Sequence, residues 1–224
     1  MAETSERSSK RSRLEYKDIF TVLVGPDEES FSIHASIATS KSKFFEAACR
    51  GTWTEAQAKV VRLPEVSPDI FKAYVQWMYS GEVVNPSEPE IDAGCEGHAP
   101  QVALVKLYHL GDVLLDLPLR NRVMDVYISL RRKFTGGSGS QAIYWAWEHL
   151  PPTSTMRRFV LAEHLFQGAE RSTWYGDNRG TLHASFLGDL VFAYSEAQWI
   201  RPTTHPMKAS GCEYHEHDAE FPEC

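Results

Sequence analysis

Residues 18–34 read DIFTVLVGPDEESFSIH, and this stretch decides the fold of the N-terminal part of the chain. Nearly every side chain in 19–24 is apolar or β-branched, which is typical of a strand covered on both faces. The Gly-Pro-Asp sequence at 25–27 then breaks the strand. Because Phe31 and Ile33 alternate with serines, the return strand is expected to bury one face only. The stretch therefore predicts a β-hairpin.

Two helices, a third strand and a longer helix are predicted after the hairpin. A brief helix is expected over 35–38, and Ser42 is placed to cap a second one. Residues 59–63 alternate in the manner of a strand. The Ser-Pro pair at 67–68 favours a helix start, and Gly81 favours its end.

The order and spacing of these segments resemble the BTB/POZ domain. The resemblance implies an α+β fold in which a small mixed sheet is flanked by helical hairpins. It also implies a non-catalytic protein–protein interaction module, one surface of which forms a homodimer. The histidine among its landmarks is expected to be a hydrogen-bonded structural residue. The positions that carry the resemblance are Asp18, His34, Ser42, Phe45, Leu63, Phe71, Tyr79 and Gly81. The Leu63-Pro64 pair, residues 77–81 and the C-terminal tail also resemble short BTB proteins of filamentous fungi.

Trp53, Thr54 and Glu55 resemble a hydrophobic–any–glutamate motif through which some BTB proteins contact a cullin scaffold of ubiquitin ligases. An exposed aromatic side chain can anchor an interface while a neighbouring carboxylate fixes its orientation. The resemblance therefore implies a substrate adaptor for a cullin-type ligase. In the alternative interpretation, Trp53 only covers the end of the sheet.

The chain beyond the predicted BTB/POZ core at 18–84 is expected to be helical. Residues 85–100 are rich in Pro, Gly and acid and predict a linker loop. Apolar residues recur at three- and four-residue spacing over 101–199, which predicts an all-helical extension interrupted by a flexible break at 136–140. Asp112 and Asp116 are expected to share one helix face at a solvated edge.

The acidic tail at 200–224 contains a candidate metal site. Two thiols and two imidazoles are the ligands that tetrahedral zinc prefers, and such a site would be closed and structural. The alternative is a disordered acidic terminus. The candidate ligands are Cys212, His215, His217 and Cys224.

Composition limits the classes of function. The 224 residues carry a net charge of −7, which argues against non-specific binding to nucleic acid. Neither a membrane span nor a secretory signal is expected, so we expect an intracellular protein, cytoplasmic or nuclear, without a disulfide framework. The lead at 1–17 has a local excess of basic residues and is expected to be disordered. A nuclear transcriptional co-regulator and, from another class, a metal-dependent enzyme that uses the Cys/His tail remain alternatives.

Overall fold

The computed structural model describes residues 18–50, 60–84, 98–133, 137–168, 172–196, 205–208 and 211–222. The predicted lead at 1–17 lies outside this part of the chain, as do most of the predicted linker and the last two residues of the tail.

The hairpin and the third strand form a three-stranded mixed sheet in the order β2–β1–β3. These strands are β1 (Ile19–Val24), β2 (Glu29–His34) and β3 (Val60–Leu63). β2 is antiparallel to β1, with Phe20 opposite Ile33, and β3 is parallel to β1, with Val22 opposite Val61. The prediction that β1 is covered on both faces is wrong, because Phe20, Val22 and Val24 are buried whereas Ile19 is exposed and Thr21 and Leu23 are only partly buried.

Helices make up most of the rest of the described chain. Those in the N-terminal part are α1 (Ala35–Lys41), α2 (Lys43–Arg50) and α3 (Pro68–Ser80). Those that follow are α4 (His98–Val113), α5 (Leu117–Lys133), α6 (Ser140–His149), α7 (Thr155–Gln167), α8 (Ser172–Asn178) and α9 (Ala184–Glu196). Two short 3-10 turns occur in the tail, at Pro206–Lys208 and Gly211–Tyr214. The α+β fold class is confirmed.

Local sequence signals place the ends of α3. Ser67 is its N-cap in an extended conformation and Pro68 is its first residue, as the sequence predicts. Gly81 ends the helix at φ 72°, a left-handed conformation that glycine adopts without steric cost, and its N–H donates to Trp77 O at 2.8 Å.

The first helix after α3, α4, packs against α3. α4 begins at His98, inside the range predicted as a linker. Gly111 of α4 lets α5 approach closely, since a Cβ there would lie 3.0 Å from Arg120 Cγ and 3.2 Å from Leu119 Cδ2. A single apolar core runs from the sheet into the helical extension and includes Phe20, Val22, Phe45, Phe71, Tyr74, Leu104, Leu107, Leu119, Val123, Tyr127 and Phe159.

Within the described ranges, each helix is too short or too polar to traverse a lipid bilayer.

Candidate protein-interaction surfaces

The residues predicted to contact a cullin, Trp53, Thr54 and Glu55, lie outside the described residues. They fall between α2, which ends at Arg50, and β3, which begins at Val60. Their role stays a prediction.

The helix that leads into this segment is firmly anchored. Ser42 caps α2 as predicted, because its Oγ accepts a hydrogen bond from the N–H of Phe45 at 3.1 Å. The same hydroxyl donates to the carbonyl of Leu114, at the end of α4, at 2.6 Å. Phe45 is fully buried, and its ring lies 5.3 Å from that of Phe20 in β1. α2 is therefore fixed both to the sheet and to the helical extension.

His34 has the structural role that the sequence predicts. Its Nδ1 lies 2.7 Å from the hydroxyl of Tyr79, and that hydroxyl also accepts a hydrogen bond from the backbone N–H of His34 at 3.2 Å. Because His34 joins β2 to α1 and Tyr79 lies near the end of α3, the contact connects two layers of the N-terminal unit.

The prediction that Asp116 lies at a solvated edge beside Asp112 is wrong. α4 ends at Val113, and Asp116 is a fully buried residue that precedes α5. Its Oδ1 accepts a hydrogen bond from the N–H of Leu119 at 2.9 Å and so caps α5. Its Oδ2 accepts from Trp77 Nε1 at 3.0 Å and from the Tyr74 hydroxyl at 3.3 Å.

Asp116 therefore couples α3 to α5 through one carboxylate. Burial raises the pKa of this carboxyl above its usual range, although the three donors and Lys41 act in the opposite direction. The group is a buried structural element of the junction and does not form an acid–base pair with Asp112.

The segment predicted as a flexible break is pinned where the structure describes it. Ser138 is fully buried, and both its N–H and its hydroxyl donate to Glu163 Oε2, at 2.8 and 2.7 Å. The N–H of Gly139 donates to Gln101 Oε1 at 2.9 Å. Glu163 also forms a fully buried ion pair with Arg131 at 3.0 Å. Residues 137–139 are thus held by a buried polar network between α4, α5 and α7.

The described part of the acidic tail folds back onto the helical extension. Tyr214 is buried, its ring meets that of Phe159 edge-on at 5.1 Å, and the Arg158 guanidinium lies 5.4 Å from the Tyr214 ring. Glu216 Oε2 lies 2.6 Å from Arg120 Nη1, and its Oε1 accepts a hydrogen bond from the Tyr108 hydroxyl. These contacts were not predicted from the sequence.

Of the predicted metal ligands in the described tail, two lie side by side: His217 Nε2 is 3.4 Å from Cys212 Sγ. His215 instead contacts α5, with its Nε2 2.9 Å from Asp125 Oδ1. Cys212 is disulfide-bonded.

Within the described ranges, no three His, Cys, Asp or Glu side chains form a group that could hold a metal ion. Cys224 lies outside those ranges, so the four-ligand zinc site stays a prediction.

A cleft lies between the β3–α3 loop and helices α4 and α6. It encloses about 520 Å³. Its apolar floor includes Leu63, Ile70 and Leu110, and its rim carries Lys106, His109, Trp145 and His149. Burial lowers the pKa of His109, and the nearby His149 lowers it further, which favours the neutral imidazole. The cleft thus presents apolar and aromatic surface beside the charged residues Arg62, Glu65 and Lys106.

A comparison with known protein families matches residues 10–96 to the BTB/POZ domain. This part of the chain is a BTB/POZ domain. The match covers less than half of the chain and ends just before α4 begins at His98. The helical extension shares its core with the BTB/POZ domain although the family match does not include it. BTB/POZ domains mediate protein–protein interactions, so the N-terminal unit is a protein-interaction module.

Proposed function

We propose that this protein is a substrate adaptor that connects a cullin-type ubiquitin ligase to client proteins and acts as a homodimeric scaffold. Two sequence features support the proposal: the BTB/POZ domain itself and the likeness of Trp53–Thr54–Glu55 to the hydrophobic–any–glutamate motif. The proposed contact combines an aromatic anchor with an orienting carboxylate.

The observation that carries the proposal is the rigid connection between the BTB/POZ domain and the helical extension. Asp116 joins α3 to α5, Ser42 joins α2 to the end of α4, and one apolar core runs through both regions. An adaptor must hold its client at a defined distance and orientation from the ligase. A helical extension fixed to the BTB/POZ domain by a buried junction meets that requirement.

Co-purification with a cullin tests the proposal. Tagged full-length protein expressed in eukaryotic cells should capture a cullin, and Glu55→Lys should abolish the capture by reversing the charge of the orienting carboxylate. Glu82→Lys is the matched control, because it makes the same charge change at an exposed residue of the BTB/POZ domain. Capture that survives Glu55→Lys, or that both variants lose equally, would reject this contact.

The dimer requires its own measurement. Sedimentation equilibrium should give twice the chain mass of 25.4 kDa at micromolar concentration. A monomer over the whole accessible concentration range would remove the homodimer from the proposal and leave the cullin contact to be judged separately.

A further inference from the structure

The described tail lies in a groove that has the properties of a peptide-binding site. The groove is formed by α4, α5 and α7, and residues 215–218 of the tail pass through it without helical or strand structure. The groove residues that contact the tail are Tyr108, Arg120, Asn121, Asp125, Thr155, Arg158 and Phe159. We call this set the tail groove.

One side chain of the tail groove recognises the backbone of the tail. The Asn121 Oδ1 accepts a hydrogen bond from the N–H of Glu216 at 2.8 Å, and the Asn121 Nδ2 donates to the carbonyl of Glu216 at 2.9 Å. A side-chain amide can satisfy both backbone groups of one residue in this way, whatever the residue is. In peptide recognition, main-chain hydrogen bonds of this kind supply affinity, and side-chain pockets supply specificity.

Two such pockets flank the Asn121 contact. The first accepts the ring of Tyr214, which is only 4% exposed and packs on Phe159 and Arg158. The second accepts the carboxylate of Glu216, which is bound by the Arg120 guanidinium and the Tyr108 hydroxyl. The residue between the two pockets, His215, also contacts the groove, because its Nε2 lies 2.9 Å from Asp125 Oδ1. The tail groove therefore selects tyrosine–histidine–glutamate.

Side-chain contacts hold residues 213–218 of the tail in the groove, and the disulfide at Cys212 precedes that stretch, so these residues can leave the groove while Cys212 stays bonded. Among the described residues, the backbone–backbone hydrogen bonds of 211–222 are all internal to the tail, so its departure breaks none that hold the helices together. Its contacts with the BTB/POZ domain include two exposed ion pairs, from Lys43 to Asp218 and Glu220, each at 3.2 Å. Exposed ion pairs contribute little stability.

We propose that the tail groove is a recognition site for a tyrosine–histidine–glutamate segment of a partner protein, and that the tail occupies it in the free chain. A tethered segment competes at an effective concentration on the order of millimolar, so partner binding is weakened until the tail is displaced. The inference goes beyond the cullin contact and does not depend on it.

A labelled peptide tests the proposal directly. The probe is a synthetic peptide of residues 211–222 with Cys212→Ser, which has no cysteine and so forms no disulfide with the protein. The receptor is the full chain carrying Tyr214→Ala and Glu216→Ala, which vacates both pockets and leaves the groove residues intact. We expect this release variant to bind the peptide about tenfold or more tightly than the unchanged protein does, because the tethered competitor is gone.

Controls assign binding to the groove. Asn121→Ala, added to the release variant, should weaken binding about tenfold or more, whereas Asn178→Ala should not, since the Asn178 side chain contacts the backbone of its own helix. Peptides with alanine at the tyrosine or the glutamate position should bind correspondingly weakly. No binding to a folded release variant, equal binding to the unchanged protein, or binding insensitive to Asn121→Ala would each overturn the proposal.

A second measurement covers the case in which the release variant does not fold. Excess peptide added to the unchanged full chain should speed hydrogen exchange of amides 211–222 and leave those of α3 and α4 unaffected. An unchanged exchange rate in the tail at saturating peptide would overturn the proposal as well.

Discussion

Two contacts made with the helical extension differ in kind: the junction with the BTB/POZ domain and the contact with the tail. In both, a side-chain oxygen accepts a hydrogen bond from a backbone N–H, from Leu119 to Asp116 at 2.9 Å and from Glu216 to Asn121 at 2.8 Å. Asp116 is fully buried within the shared core, whereas Glu216 and its ion-pair partner Arg120 keep 23% and 17% of their side chains exposed. The same kind of bond therefore belongs to a buried junction in one place and to a partly exposed contact in the other.

The difference follows from what surrounds each bond. Breaking the junction would expose apolar side chains and leave Asp116 and Trp77 Nε1 without partners, which is costly in a buried site. Releasing the tail would expose the rings of Tyr214 and Phe159, but it would return the other contact groups, which are polar, to water, where they recover most of their hydrogen bonds. The BTB/POZ domain and the extension should accordingly unfold together, and the tail should detach alone.

The largest expected effect comes from a change deep in the extension. Glu163→Ala removes a carboxylate that forms a fully buried ion pair with Arg131 and should cost about 3–5 kcal/mol of unfolding free energy. If the two regions are one cooperative unit, denaturant unfolding followed by circular dichroism and tryptophan fluorescence should shift as a single transition. Glu148→Ala, at an exposed ion pair with His183, is the control and should shift it little. Two separate transitions would show that the BTB/POZ domain and the extension unfold independently.

A smaller loss is expected at the junction itself. Asp116→Ala removes the cap of α5 and the acceptor for Trp77 and Tyr74, which together should cost about 2–4 kcal/mol in the same denaturation experiment. Asp69→Ala is the matched control, because Asp69 belongs to α3 but its side chain is 83% exposed. A cost no greater than that of the control would show that the junction is not held by this carboxylate.

Asn121→Ala should loosen the tail and spare the fold. Losing two hydrogen bonds of about 1 kcal/mol each predicts hydrogen exchange about ten- to thirtyfold faster in residues 211–222. The midpoint of global unfolding should remain close to that of Asn178→Ala. A fall in global stability matching that of Asp116→Ala would mean that the tail belongs to the cooperative core.

The smallest expected effect is a loss of hydrogen-exchange protection in the tail at acidic pH. Hydrogen bonds from the backbone N–H groups of Phe221 and Glu220, together with Lys43, hold the pKa of Asp218 below its usual value. A carboxyl with a lowered pKa stabilises the folded form above its ordinary pKa of about 3.9, and the contribution disappears as pH falls through the lowered value. Protection of the tail, corrected for intrinsic exchange, should therefore decline at acidic pH, and less so in Asp218→Asn. Identical pH profiles for the unchanged protein and Asp218→Asn would show that Asp218 does not stabilise the bound tail.

The elements confirmed from sequence depend on neighbouring residues. Ser42 and the Ser67–Pro68 pair mark helix starts, Gly81 marks a helix end, and the alternation of Phe31 and Ile33 marks the hairpin. Each of these signals acts within a few positions, so the individual elements could be predicted locally, whereas the BTB/POZ fold was implied by the resemblance of their order to that family.

The contacts that define the junction and the tail could not be predicted in this way. Asp116 pairs with Trp77 across 39 positions, and Glu216 pairs with Tyr108 across 108. The cysteines and histidines of the tail predicted a metal site and gave no indication that Tyr214 and Glu216 contact the extension. The sequence signal for that contact was the spacing of an aromatic residue and an acid two positions apart. Polar contacts of long sequence separation leave no periodicity, and only the folded chain reveals them.

Native-state hydrogen exchange at increasing denaturant tests the central claim most directly, by comparing the amides of Leu119 and Glu216. We expect the Leu119 amide to exchange only by global unfolding, with the full denaturant dependence, in step with amides of α3. The Glu216 amide should exchange at a lower free energy with little denaturant dependence. Equal free energies and slopes for the two amides would contradict a fixed platform with an exchangeable tail.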